Sequence, residues 1–224
     1  MGYHIDNKDV DLSSLRRLTF VPSDKAGDVY RYKNCVLRVF KEGEYPIDKD
    51  TATYFTDVST ERILLPRKLL FYNNAFRGYT MKLVSQKGAG KRIITTPTKD
   101  FVGCIEALER DIEILSQKKI LLNGITPGYS LYNGELYLVN PAGYSILESV
   151  STEKLEQLNE FQLHLLITEL IASELRKNGY LQPTIKNVKD LFSLRDVDQM
   201  SSSYVKEVID GQENIKEFVK KIGA

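Results

Sequence analysis

Apolar and polar positions alternate with a short period through the first third of the chain and take a helical period after Val84. Leu18 to Pro22, Asp28 to Lys33 and Asn34 to Phe40 are rich in Val, Tyr, Phe and Leu with turn residues between them, which predicts strands. Tyr32-Lys33-Asn34 is a hairpin corner. Leu69 to Tyr72 and Tyr79 to Val84 form a second hairpin about Asn73-Asn74, with Gly78 beyond it. One small antiparallel sheet follows. The stretch from Glu44 to Asp57 is weaker: Pro46 is placed to start a helix, yet Thr51, Thr53 and Thr56 are poor helix formers.

Beyond Val84, SQKGAGKR reads as a connecting loop. Val102, Ile105, Leu108, Ile112 and Leu115 then share one helical face, predicting a helix from Lys99 to Leu121. Short strands at Ser130 to Tyr132 and Leu136 to Val139 flank Asn133-Gly134, a strong hairpin signal. Asn159 is expected to cap a long amphipathic helix that stops at Lys177-Asn178-Gly179. Shorter helices are expected at Lys186 to Leu194, Ser202 to Ile209 and Gln212 to Ile222. A β-rich part, residues 1–84, followed by an α-rich part, residues 85–224, predicts an α+β fold in two lobes. A ligand cleft is then expected between them.

Charge narrows the partners. A net charge of +1 gives no broad basic face for nucleic acid or a membrane surface. The N-terminus has neither the cationic start nor the apolar core of a signal peptide, and Asp6 stands where a myristoylation signal needs Ser or Thr. Leu163 to Ala172, the longest apolar-rich stretch, is too short to span a bilayer, so a cytoplasmic protein is expected. Cys35 and Cys104 are expected to be buried free thiols, not a disulfide. His4 and His164 are too far apart to build a Cys/His metal site from spacing, and His164 is expected to be structural.

Three segments in order carry a family resemblance. AGDVYRYKNCVLRVFK looks like a nucleotide-covering hairpin with its following strand, and GYTMKLV like a strand entering an interlobe hinge. NGITPGYSLYNGELYLVNPAGY is similar to paired catalytic and metal loops. Together they resemble the protein kinase-like superfamily, closest to its small bacterial members. The resemblance implies a two-lobed fold, with a small antiparallel sheet as the N-lobe and a mainly helical C-lobe. Pro127 matches the family's proline, which places Gly124 at the catalytic Asp, Tyr129 at the metal-binding Asn and Asn140 at the metal-binding Asp. Glycine has no group to accept a proton, a phenol is a poor magnesium ligand, and Asn140 keeps an oxygen but loses the charge.

The cleft that the resemblance implies would be lined by Gly27, Val29, Arg38, Met81, Leu83 and Leu131. Arg38 takes the place of the phosphate-binding Lys, with Lys41 as the alternative in a shifted register; Glu44 or Asp48 would supply the pairing carboxylate. Glu135 and Glu148 are the nearby carboxylates that a rescued metal site would need. ATP is thus the one nucleotide ligand in view, magnesium is not expected, and no other cofactor is. The expectation is a pseudokinase acting as a binding or regulatory module for a protein partner. An atypical ATP-dependent phosphotransferase and an unrelated α+β interaction protein are the alternatives.

Other motifs are weaker. Gly88 to Lys91 lacks the spacing of a phosphate-binding loop, and Lys87, Lys91 and Arg92 read as solvated. Glu106, Glu109, Asp111 and Glu113 read as a solvated helix face. Tyr129, Tyr132, Tyr137 and Tyr144 either plug the altered cleft or pack the hairpin on the helices.

Overall fold

The computed structural model describes residues 2–18, 27–84, 98–123, 130–132 and 134–177. Gly124, Pro127, Tyr129, the loop from Ser85 to Arg92, the helix stop at Asn178-Gly179 and the three short helices expected after residue 185 lie outside these residues. The described fold is α+β: one curled antiparallel sheet of seven strands, two small two-stranded sheets and three α-helices.

The large sheet is built from β1 (Tyr3–Ile5), β2 (Lys8–Val10), β3 (Arg16–Arg17), β4 (Gly27–Tyr32), β5 (Cys35–Phe40), β6 (Lys68–Tyr72) and β7 (Ala75–Lys82), in the spatial order β2-β1-β6-β7-β5-β4-β3. Its tight turns sit at positive φ: Lys33 at 52°, Asn73 at 47° and Asn74 at 67°. The β1–β2 hairpin is an addition to the expected set. It turns at Asp6 and Asn7, with φ of 49° and 60°, by the same chemistry as Asn73-Asn74. Leu18 lies just past β3, and the rest of the strand expected from Leu18 to Pro22 lies outside the described residues.

Both faces of the sheet are covered. Val29, Arg38, Tyr79 and Leu69 are cross-strand neighbours in one row, so they share a face. That face belongs to the main core, which continues through Phe55, Leu108, Leu138 and Leu166. Leu37, Val39 and Leu70 point the other way and, with Ile5 and Val10, make a second small core beneath the curl.

Helix α1 (Lys49–Thr56) connects β5 to β6. It starts at Asp48, whose carboxylate accepts from the Thr51 N–H at 2.8 Å, and not at Pro46. Its threonines are tolerated because Thr53 and Thr56 donate to carbonyls one turn back, both at 2.7 Å. Ala52 and Phe55 form its buried side.

Helices α2 (Thr98–Gln117) and α3 (Thr152–Lys177) pack on each other. Between them run β8 (Ile120–Leu121), the hairpin β9 (Ser130–Tyr132) and β10 (Leu136–Leu138), a 3₁₀ turn at Pro141–Gly143, and β11 (Ser145–Ile146). Pairing of β11 with β8 brings the two ends of this 120–146 segment to one place. Helix α2 stops short of the expected Leu121, because Lys119 turns to φ 56° and frees Ile120 and Leu121 to pair. No helix among the described residues is long and apolar enough to cross a membrane.

Asn159 is not a cap. Helix α3 begins earlier, at Thr152, where the Ser151 hydroxyl accepts from the Lys154 N–H at 3.3 Å. Asn159 is fully buried instead and ties β8 to both helices. Its oxygen accepts from the Leu122 N–H at 2.7 Å, and its Nδ2 donates to Ser116 Oγ at 3.0 Å and the Ile120 carbonyl at 2.9 Å. Asn159→Ala is expected to lower unfolding stability by about 2–3 kcal/mol, read by urea titration, since a buried N–H and a carbonyl lose their partner together. Asn159→Asp is expected to be no milder, because a carboxylate lacks the donors that Ser116 and Ile120 receive.

Candidate functional site

Arg38 is the chemical centre of the described fold. It lies mid-strand on β5, 3% exposed, in the row Val29, Arg38, Tyr79, and faces the main core with Val36 and Phe40. A guanidinium in such a place requires acceptors. It donates to the Asn140 side-chain oxygen at 3.1 Å and to the Tyr79 hydroxyl at 3.5 Å. Asn140, nine-tenths buried, also caps the Pro141–Gly143 turn by accepting from the Ala142 N–H at 3.3 Å. One amide oxygen therefore receives a cationic donor and a backbone donor together.

Gly27, Val29 and Met81 are buried on or beside this row, and Leu83, just past the end of β7, is half-buried against the same core. A Cβ on Gly27 would stand 2.4 Å from the Val39 carbonyl oxygen, so this glycine is required by close strand packing. Leu131 lies on the β9–β10 hairpin, opposite Tyr137. The expected carboxylate partners of Arg38 are not used. Glu44 is exposed, and Asp48 is occupied in capping α1. Lys41 is exposed beyond the end of β5, which leaves Arg38 as the inward cation.

The rescue carboxylates also stand elsewhere. Glu148 is exposed. Glu135 holds Arg62 through Nη2 at 3.0 Å and Nη1 at 2.9 Å and accepts from the Tyr137 hydroxyl. The Arg62 hydrogen bond, with that of Tyr137, keeps the Glu135 carboxyl below its ordinary range. Burial first, then the bond to Glu135, pushes the Tyr137 phenol up to about 12. Arg62 lies 4.9 Å from the Tyr137 ring centroid, a cation–π contact.

Tyr144 is buried within electrostatic reach of Tyr79 and Asp111. It packs 6.3 Å from the Phe55 ring, and burial pushes its phenol far above the ordinary value. Tyr129, on which the expected plug rests, and the Tyr132 side chain lie outside the described residues.

Asp111 is a correction to the expected solvated face. It is 2% exposed and accepts three backbone N–H groups, from Glu61 at 2.8 Å, Arg62 at 2.6 Å and Ile63 at 2.8 Å. The available signal is its spacing: Asp111 stands between Leu108 and Ile112, on the apolar stripe itself. The loop it grips continues into a parallel bridge between Ile63 and Leu138, and so reaches β10, just before Asn140. Cys104 is buried and free, and burial raises its thiol; Cys35 is free but only half-buried, against expectation. His164 is buried within α3. Among the described residues no group of three or more His, Cys, Asp and Glu is placed to hold a metal ion.

A comparison with protein-family models finds none that matches, and one with curated proteins finds no match either.

Proposed function

We propose that the chain is a kinase-like protein without phosphotransfer activity, a pseudokinase that serves as a binding or regulatory module. The observation that carries this reading is the buried hydrogen bond from Arg38 to Asn140, 3.1 Å long between residues 102 positions apart. Under the kinase-like alignment these are the positions of the phosphate-binding Lys and of a metal-binding Asp. Their meeting is what that alignment expects, and it supports the kinase-like reading.

The chemistry at the contact speaks against turnover. Magnesium seeks anionic oxygens in near-octahedral array. The Asn140 oxygen is uncharged and already faces a guanidinium and an N–H. A divalent cation there would meet Arg38 at close range, and Arg38, turned to Asn140, is drawn away from a phosphate. The order of elements supports the reading too. The β4–β5 hairpin, α1, the β6–β7 hairpin, α2 and the paired 120–146 segment follow one another as the two-lobed arrangement expects. The sheet would be the N-lobe, the helices α2 and α3 with their small sheets the C-lobe, and the interior of a cell the place of work.

Thermal-shift titration with ATP and with ADP, each with and without magnesium, tests this. A ligand at about a hundred times its dissociation constant adds about 2.7 kcal/mol to the folded state, a shift easily read. No magnesium-dependent rise and no phosphoryl transfer are expected. A magnesium-dependent rise that Arg38→Met removes would overturn the inactive reading in favour of an atypical phosphotransferase.

A further inference from the structure

Two adjoining cavities lie beside β6, along the C-terminal end of α1. The first, about 440 Å³ and open to solvent, has His4, Asp6, Thr56, Arg67, Lys68 and Phe71 in its lining. The second, about 230 Å³, runs from Thr56 and Arg67 along residues 57–60 to Lys82. Thr56 and Arg67 line both, so the two cavities adjoin at these residues and are together termed the groove.

The groove's chemistry is mixed in a particular way. His4 stacks on Phe71 with ring centroids 5.7 Å apart, giving an aromatic shelf, and the Lys49 ammonium lies 6.0 Å from the Phe71 centroid. Lys68 is paired with Asp6. Arg67 is exposed, its backbone N–H held by the Thr80 carbonyl at 2.8 Å, while its guanidinium has no ion pair among the described residues. Lys82 also lines the second cavity, its ammonium donating to the Glu61 carbonyl at 3.3 Å, whereas Asp6 and Asp57 are the anions, the first already paired.

We propose that this groove is a docking site for a short, extended acidic peptide of a partner protein. An aromatic residue of that peptide sits on the Phe71–His4 shelf and its carboxylates meet Arg67. Extended chain suits the shape, because successive side chains alternate between groove and solvent and can enter two shallow cavities in turn. Acidic character suits the exposed Arg67 guanidinium, which binds carboxylates bidentately. The site rests on its own lining and not on the kinase-like reading, so the nucleotide titration and the peptide test fail independently.

The test selects a random peptide display library on the full-length protein and, in parallel, on Arg67→Glu. Selected peptides are expected to carry Asp or Glu beside Phe, Tyr or Trp. A fluorescent synthetic copy of one should bind with an affinity that falls with salt and drops about tenfold or more in Arg67→Glu, with a smaller loss in Arg67→Lys. The same peptides emerging on both proteins, or winners without acidic residues, would overturn the proposal. A single-stranded oligonucleotide bound through Arg67 more tightly than any selected peptide would overturn it as well.

Discussion

Asp111→Ala is expected to destabilise the protein by about 3–5 kcal/mol, a large loss for one polar side chain. Three backbone N–H groups, those of Glu61, Arg62 and Ile63, converge on this one carboxylate. Hydrogen bonds to a charged acceptor contribute more than neutral ones, and the Ile63 N–H is buried, so water cannot replace the lost partner there. The loss would not stop at the loop. Leu64 donates to the Leu138 carbonyl at 2.8 Å and Leu138 donates to the Arg62 carbonyl at 2.9 Å, so loosening residues 61–64 loosens β10. Asp111→Asn keeps one acceptor oxygen and is expected to lose about half as much. Urea unfolding of the two variants checks the order. A near-neutral Asp111→Asn beside a costly Asp111→Ala would show that packing around position 111, and not the carboxylate, holds the loop.

Gly78→Ala is expected to cost about 3 kcal/mol or more. Gly78 has φ of 150°, and a Cβ there would lie 1.9 Å from the Arg38 carbonyl oxygen. The obstacle is backbone in the middle of the sheet, where β5 is held between β4 and β7 and cannot retreat. The sheet is irregular at this point, with a shift of register between Leu70 and Phe71 on β6. Gly43 provides the control: its φ is 81° but nothing lies within 4 Å of an added Cβ, so Gly43→Ala should cost only about 1 kcal/mol of backbone strain. Chemical denaturation of both variants gives the comparison. A small loss at Gly78, comparable with that at Gly43, would mean that β5 yields.

Hairpins are the legible part of this fold, because positive φ selects a few residue types. Asn73-Asn74 announces the β6–β7 turn, whereas Asp6-Asn7, a turn of the same kind, is hidden because its three-residue strands show little alternation. Strands β8 and β11 are two residues long and carry no periodicity at all. Polar residues on helices are the least legible. Asn159 has the composition of a cap and Asp111 that of a surface carboxylate, and only the tertiary neighbours turn both inward. Arg38 is buried on β5, whose residues are covered on both faces. Local reading seeks its partner among nearby carboxylates, whereas the structure supplies a neutral amide from a distant turn. Separation along the chain hides such a pairing from any local pattern.

The contacts that join the sheet to the later helices have a kinetic meaning. The Arg38–Asn140 bond spans 102 positions, and the bond from the Ile63 N–H to Asp111 spans 48. Ile63 also meets Leu138 across the whole of α2. Each of these links needs two already ordered pieces, so none can form while the chain is still assembling locally. Loop-closure entropy must be met before any of them stabilises the fold. The hairpins are thus expected to form early and the Arg38–Asn140 bond late, at the point where separately formed pieces commit to a single native state.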